Sequence, residues 1–278
     1  MNVSVSFEFF PPNTPEGDEK LLQVAKALAA FAPEYFSVTY GAGGSTRDKT
    51  LATVRRLHAA GYRVAPHLSC VGGTREGVRE LLASYRELGI DRLVALGGDM
   101  PSGMVAGSDF RYASDLLDFL AKEFPNAFRP TVAAYPEVHP RAVSASADLA
   151  LLRRKQQLGA KAAVTQFFYN ADAYLAFVEA ARRAGVTIPI IPGIMPIANF
   201  SKVARFAEGC GAEIPRWLMR RMQDLGDDQD SVRALGLDVV TAMCERLLAG
   251  GAPALHFYTM NQSALTTAIL ERLKGSHT

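Results

Sequence analysis

Cysteine is scarce in this chain: three in 278 residues, with Cys70, Cys210 and Cys244 far apart and without metal-ligand spacing. That excludes a disulfide framework and gives no sign of a metal site. No run of about 18 apolar residues is long enough to span a bilayer. Met1–Phe10 lacks the basic-then-apolar pattern of a signal peptide. Excess charge is missing too. Thirty basic against 28 acidic residues leave a net +2, which argues against a nucleic-acid or membrane-surface protein. The dinucleotide fingerprint GxGxxG is absent after the first strand-like run, where the turn reads PPNTPEG. No Ser/Gly-rich linker or shift of composition marks a boundary. One soluble, cytoplasmic domain over 1–278 is therefore expected.

What the chain does have is a rhythm. Strand-like runs at 4–10, 34–40, 63–70, 91–98, 129–135, 162–169, 188–195 and 254–260 alternate with amphipathic stretches. The latter carry apolar residues at i, i+3, i+4 and i+7, and several stop at a glycine (Gly61, Gly89, Gly159, Gly185). About eight such units in a chain near the usual ~250 residues predict a (β/α)8 TIM barrel rather than a doubly wound sheet. One connection, 209–236, is far longer than an ordinary link. Within it PRWLMRRM reads as a helix opened by proline, with Trp217, the single tryptophan, in its first turn. This extra helical segment before the last strand either lies over the barrel mouth or simply packs its apolar face on the barrel.

Barrel enzymes take their catalytic groups from C-terminal strand ends. Those ends carry Glu8, Thr39 with Tyr40, His67, Asp99, Tyr135 with Glu137 and His139, Gln166, and Tyr258 with Asn261. The seventh strand runs instead into PGIMP. Period two puts Val5, Phe7 and Phe9 on one face and Ser4, Ser6 and Glu8 on the other, so Glu8 points into the barrel. Desolvation there should raise its pKa unless a cation pairs with it. A raised pKa suits a general acid; the alternative is a structural carboxylate bound to a lysine or arginine across the barrel. Asp99 follows the small residues of ALGG and is either at a ligand or capping a turn. His67 fits a buried hydrogen-bonded histidine as well as a ligand contact. Gln166 can read a planar heterocycle or bridge the barrel interior. Over 133–155, Tyr135, His139, Asp148, Arg154 and Lys155 suit a pyrophosphate, although LLRRKQQ alone also describes a solvated helix face.

The strings SFEFFPP, SVTYGAGG, APHLSC, ALGGD, AAYPEVHP, TQFFY, IIPGIMP and HFYTMN, in this order from Ser6 to Asn261, resemble the methylenetetrahydrofolate reductase family. The resemblance is to its bacterial type, a catalytic barrel without a regulatory domain. It implies a flavoprotein that reduces 5,10-methylenetetrahydrofolate to 5-methyltetrahydrofolate. NADH or NADPH gives hydride to FAD, and the folate takes it from FAD in a ping-pong cycle. By resemblance Glu8 is the acid that assists opening of the imidazolidine ring to a 5-iminium cation, and Asp99 stabilises that cation beside the flavin. Gln166 and Tyr258 match substrate positions. Thr39, His67, Gly98, Asp99, Tyr135, His139, Asp148, Arg154 and Lys155 match flavin positions. Self-association is common in the family, so a homo-oligomer is expected.

The chain departs from some members at Gly97 and Gln262, where they have arginine, and at Leu151, where they have asparagine. Arg216, Arg220 or Arg221 of the long connection is a candidate to hold the anionic folate tail instead. A flavin-independent reductase, a pterin-binding methyltransferase and a non-catalytic folate or flavin carrier are the rival functions.

Overall fold

The computed structural model describes residues 3–40, 47–69, 73–97 and 109–275. Among these residues the expected alternation is present throughout. Strands β1 (Val5–Phe9), β2 (Phe36–Val38), β3 (Val64–Ser69), β4 (Arg92–Leu96), β5 (Arg129–Ala134) and β6 (Ala162–Thr165) are each followed by a helix, α1 (Pro15–Ala29), α2 (Arg47–Ala59), α3 (Arg75–Glu87), α4 (Ala113–Glu123), α5 (Ala145–Gln157) and α6 (Ala171–Arg183). Side-chain caps start several of these helices: Thr14, Thr74 and Ser144 each accept the backbone N–H three residues on, and Asn170 that of Asp172.

The seventh barrel strand is split. β7 (Ile190–Ile191) pairs in parallel with β6, while β8 (Gly193–Ile194) pairs in parallel with β9 (Leu255–Tyr258), which in turn pairs with β1. Pro192 stands between the two halves, and its carbonyl accepts the His256 N–H at 3.0 Å. All pairings are parallel, and the two halves close the sheet into an eight-position (β/α)8 barrel. Gly193 makes this closure possible. A Cβ there would sit 2.2 Å from the Thr165 carbonyl oxygen and 2.6 Å from the Tyr258 ring. Gly193→Ala should therefore destabilise the barrel by about 3 kcal/mol, the upper end of ordinary overpacking. Urea unfolding checks this; a loss within about 0.5 kcal/mol, the range of neutral surface changes, would mean the site yields freely.

Helices α7 (Phe200–Cys210), α8 (Arg216–Asp224) and α9 (Gln229–Ala249) fill the long connection before β9, and α10 (Ala264–Gly275) follows it. Pro215 caps α8, and Leu218 and Met222 bury its apolar face. The main core lies between sheet and helices, where Phe7 packs on Phe36 and Phe257, and Phe9 stacks on Phe36 at 5.3 Å. The outward aromatic face of β1 thus leaves Ser6 and Glu8 inside, as its period requires. The barrel interior is lined by Tyr35, Ala65 and Val94 and by polar groups (Ser6, Ser37, His67, His256), not by branched aliphatics alone. Among the described residues no helix is long and apolar enough to cross a membrane.

Candidate active site

The C-terminal strand ends open into a cavity of about 1690 Å³. That exceeds the ~300–1,000 Å³ of an ordinary ligand pocket, so two ligands can lie in it together. Glu8, Thr39, His67, Tyr135, His139, Asp148, Lys155, Gln166 and Tyr258 all line it, bringing together most of the residues named from the sequence.

Parallel register builds the floor. Glu8 is level with Ser37 on one side and Tyr258 on the other, and Ser6 one layer below is level with His256. Glu8 Oε2 lies 3.3 Å from His67 Nε2 and 3.6 Å from His256 Nε2. His256 Nδ1 lies 2.7 Å from Ser6 Oγ. The Glu8 side chain keeps 18% exposure, whereas His67 and His256 keep 7% and 2%. Thr259 Oγ1 donates to the Glu8 carbonyl at 2.6 Å and fixes the strand end.

The partners of Glu8 are imidazoles, not the lysine or arginine considered above, and they reverse the expected direction of its pKa. Burial pushes the carboxyl up. The positive charge of His67 and the polar contacts of both imidazoles outweigh burial and draw it down to about 2. His67 Nε2 is buried without a well-aligned hydrogen-bond partner, so its attraction for Glu8 is chiefly one of charge.

The surrounding groups are fixed by backbone. Tyr258 Oη donates to the Thr165 carbonyl at 2.6 Å, and burial raises its pKa well above the ordinary value. Its ring therefore faces the cavity while its hydroxyl is engaged. Gln166 accepts the Phe167 N–H at 3.0 Å, and the far end of its amide has no partner among the described residues. Asp148 accepts the His139 backbone N–H at 3.0 Å, Tyr135 and His139 meet edge to face at 4.4 Å, and Lys155 Nζ donates to the Ala133 carbonyl at 3.0 Å. The AAYPEVHP turn that carries these groups holds Val138 at φ 68, an uncommon conformation for a β-branched residue. Glu137 steadies it by accepting the Glu213 N–H at 2.7 Å.

Two expectations are placed differently, and a third falls on residues that are not described. Arg154 is exposed on α5 and is not part of the cavity wall. Arg216, Arg220 and Arg221 are exposed on α8 and do not line the cavity either; from the long connection only Phe206 and Cys210 of α7 reach it. Asp99, Gly98 and the GAGGST segment at 41–46 lie outside the described residues. His256 and Ser6 are the members of the cluster that inspection of strand ends misses. Period two in HFY puts His256 on the face of Tyr258, and that signal was available.

A (β/α)8 barrel with a carboxylate between two imidazoles, under a cavity sized for two ligands, has the build of a barrel enzyme. The sequence pattern of the family described as methylenetetrahydrofolate reductase matches residues 1–274, and the chain belongs to that family. It is 40% identical over 272 residues to 5,10-methylenetetrahydrofolate reductase of Escherichia coli (strain K12), covering 98% of this chain and 90% of that one. It is 37% identical over 286 residues to methylenetetrahydrofolate reductase (NADH) 1 of Arabidopsis thaliana, covering 98% of this chain and 48% of the longer relative. Among solved structures, a protein from Clostridium thermocellum described as binding two copies of 5-methyl-5,6,7,8-tetrahydrofolic acid has the same fold, with TM-score 0.72 at 18% identity over 98% of this chain and 96% of that one.

Proposed function

We propose that this protein, acting as one catalytic domain over 1–278 in the cytoplasm, reduces 5,10-methylenetetrahydrofolate to 5-methyltetrahydrofolate with electrons from NADH or NADPH passed through FAD. The observation that carries this reading is Glu8 with His67 and His256 on the floor of the two-ligand cavity. FAD, when bound, supplies the site that accepts and returns a hydride. The wall suits such a group: Thr39, Tyr135, His139 and Lys155 line it with polar groups, and among the described residues Gly97, with no side chain, leaves the end of β4 open. Thr39, His67, Tyr135, His139, Asp148 and Lys155 would hold it, with Gly98 and Asp99 from the segment after β4.

The reaction needs one hydride and one proton per turnover. Opening the imidazolidine ring to the 5-iminium cation requires the proton at the departing nitrogen, and Glu8 delivers it. Burial already presses hardest on the Glu8 carboxyl, and its remaining 18% exposure keeps part of that pressure off. A planar ring laid over Glu8 removes that water. In that drier site the charged carboxylate is disfavoured, which drives Glu8 toward its neutral, proton-carrying form. Gln166 orients the pterin through its free amide end, and the Tyr258 ring forms the wall beside it. Asp99 supplies negative charge toward the iminium.

The test is spectroscopic. The protein reconstituted with FAD should be yellow, bleach with NADH or NADPH under anaerobic conditions, and regain colour with 5,10-methylenetetrahydrofolate. A protein that takes up no FAD yet reduces the folate directly would be a flavin-independent reductase. One that binds folate or flavin without turnover would be a carrier.

A further inference from the structure

Among the described residues, five side chains charged at neutral pH, histidines apart, line the cavity: Glu8, Asp148, Arg111, Arg141 and Lys155. Four of them have interactions within the protein. Glu8 faces its histidines, Asp148 accepts from the His139 backbone, Lys155 donates to Ala133, and Arg141 has a partner of its own. Arg111 differs. Its guanidinium lies 5.2 Å from the Tyr112 ring and forms no ion pair with a carboxylate among the described residues. Asp115 is occupied with the backbone N–H groups of Arg111 and Tyr112, at 2.9 Å each, and so fixes the approach to α4. A short distance away, Gly97 ends β4 with space in front of it. Among the described residues, a Cβ there would meet only the Ala113 backbone nitrogen, at 3.9 Å. Ala113 is two residues past Arg111, and Gly97 and Arg111 both line the cavity.

We propose that Arg111 is a specificity residue for the cofactor, pairing with a phosphate of FAD from the approach to α4. This rests on the flavoprotein reading above. The charge distribution favours a phosphate over the folate tail. Among the described residues, the three cations that line the cavity, Arg111, Arg141 and Lys155, stand on α5 or on the approaches to α4 and α5, and of the two acids only Asp148 is near them in sequence, since Glu8 faces its histidines on β1. A guanidinium fork matches phosphate oxygens two at a time.

The experiment measures binding, not turnover. Full-length apoprotein is titrated with FAD and with riboflavin, which lacks phosphate, at low and high salt, with flavin fluorescence as the readout. Arg111→Ala should weaken FAD binding about tenfold, the scale of one charge-assisted contact, flatten its salt dependence and leave riboflavin binding unchanged. Because Gly97 has room, Gly97→Arg added to Arg111→Ala should restore much of the FAD affinity. Unchanged FAD affinity in Arg111→Ala overturns the proposal. A parallel loss of riboflavin affinity also overturns it, since the residue would then be a stacking platform. A loss confined to 5-methyltetrahydrofolate overturns it in favour of tail binding. If the unaltered chain binds neither flavin, the flavoprotein reading fails first, and that outcome differs from all of these.

Discussion

Replacing Glu8 by glutamine is expected to stop folate reduction while reduction of the flavin by NADH stays within a few-fold of normal. Glutamine preserves the shape of the side chain and can still face His67 at the 3.3 Å separation seen for the carboxylate. It cannot hold a transferable proton at neutral pH. The nicotinamide half-reaction moves only a hydride and asks nothing of Glu8. The folate half-reaction needs a proton at a departing nitrogen, and loss of a general acid costs about 10²–10⁴-fold. Stopped-flow traces of the two half-reactions separate these effects. Equal loss in both halves would mean that Glu8 is structural.

The second large effect is expected at His256, which no strand-end rule selects. His256→Gln removes a 2%-exposed imidazole that lies 3.6 Å from Glu8 and 2.7 Å from Ser6 Oγ. Glutamine can hydrogen-bond but not carry a proton, so folate-dependent reoxidation should fall roughly tenfold or more. A pH signature distinguishes this from a packing defect. The folded Glu8 pKa, about 2, lies below its ordinary 4.5, so the carboxylate contributes stability that is present above pH 4.5 and lost as pH falls toward 2. Removing His256 removes part of what lowers that pKa. The stability curve of His256→Gln should therefore flatten between pH 4.5 and 2. A variant with normal reoxidation and an unchanged acid limb would exclude His256 from proton handling.

Much of this architecture was legible in the residues. Periods of 2 and 3.6 set the strands and helices, because each element buries one face, and they turned Glu8 inward correctly. Family strings and strand-end polarity together selected the cavity wall from Thr39 to Tyr258. What period could not show was depth. Ser6 and His256 sit one layer below the mouth, and only register across β1 and β9 places them together. Nor could a single strand reveal that the partners of Glu8 are histidines, which reverse the pKa shift expected from burial alone. The arginines of α8 misled for a related reason. A helix near the mouth in sequence presents whichever face its apolar residues leave over, and Leu218 and Met222 turn the arginines outward. Closure through Gly193 was hidden as well, since IIPGIM reads as one strand and is two.

Folate reduction turns on where one proton rests, and carboxyl-labelled glutamate observed by carbon NMR measures that directly, with Glu8→Gln assigning the resonance. In the protein alone Glu8 should titrate near pH 2 and be fully ionised at neutral pH. With FAD and 5-methyltetrahydrofolate bound, the same resonance should report a protonated carboxyl at neutral pH. A Glu8 that stays ionised with both ligands in place would contradict its role as the acid.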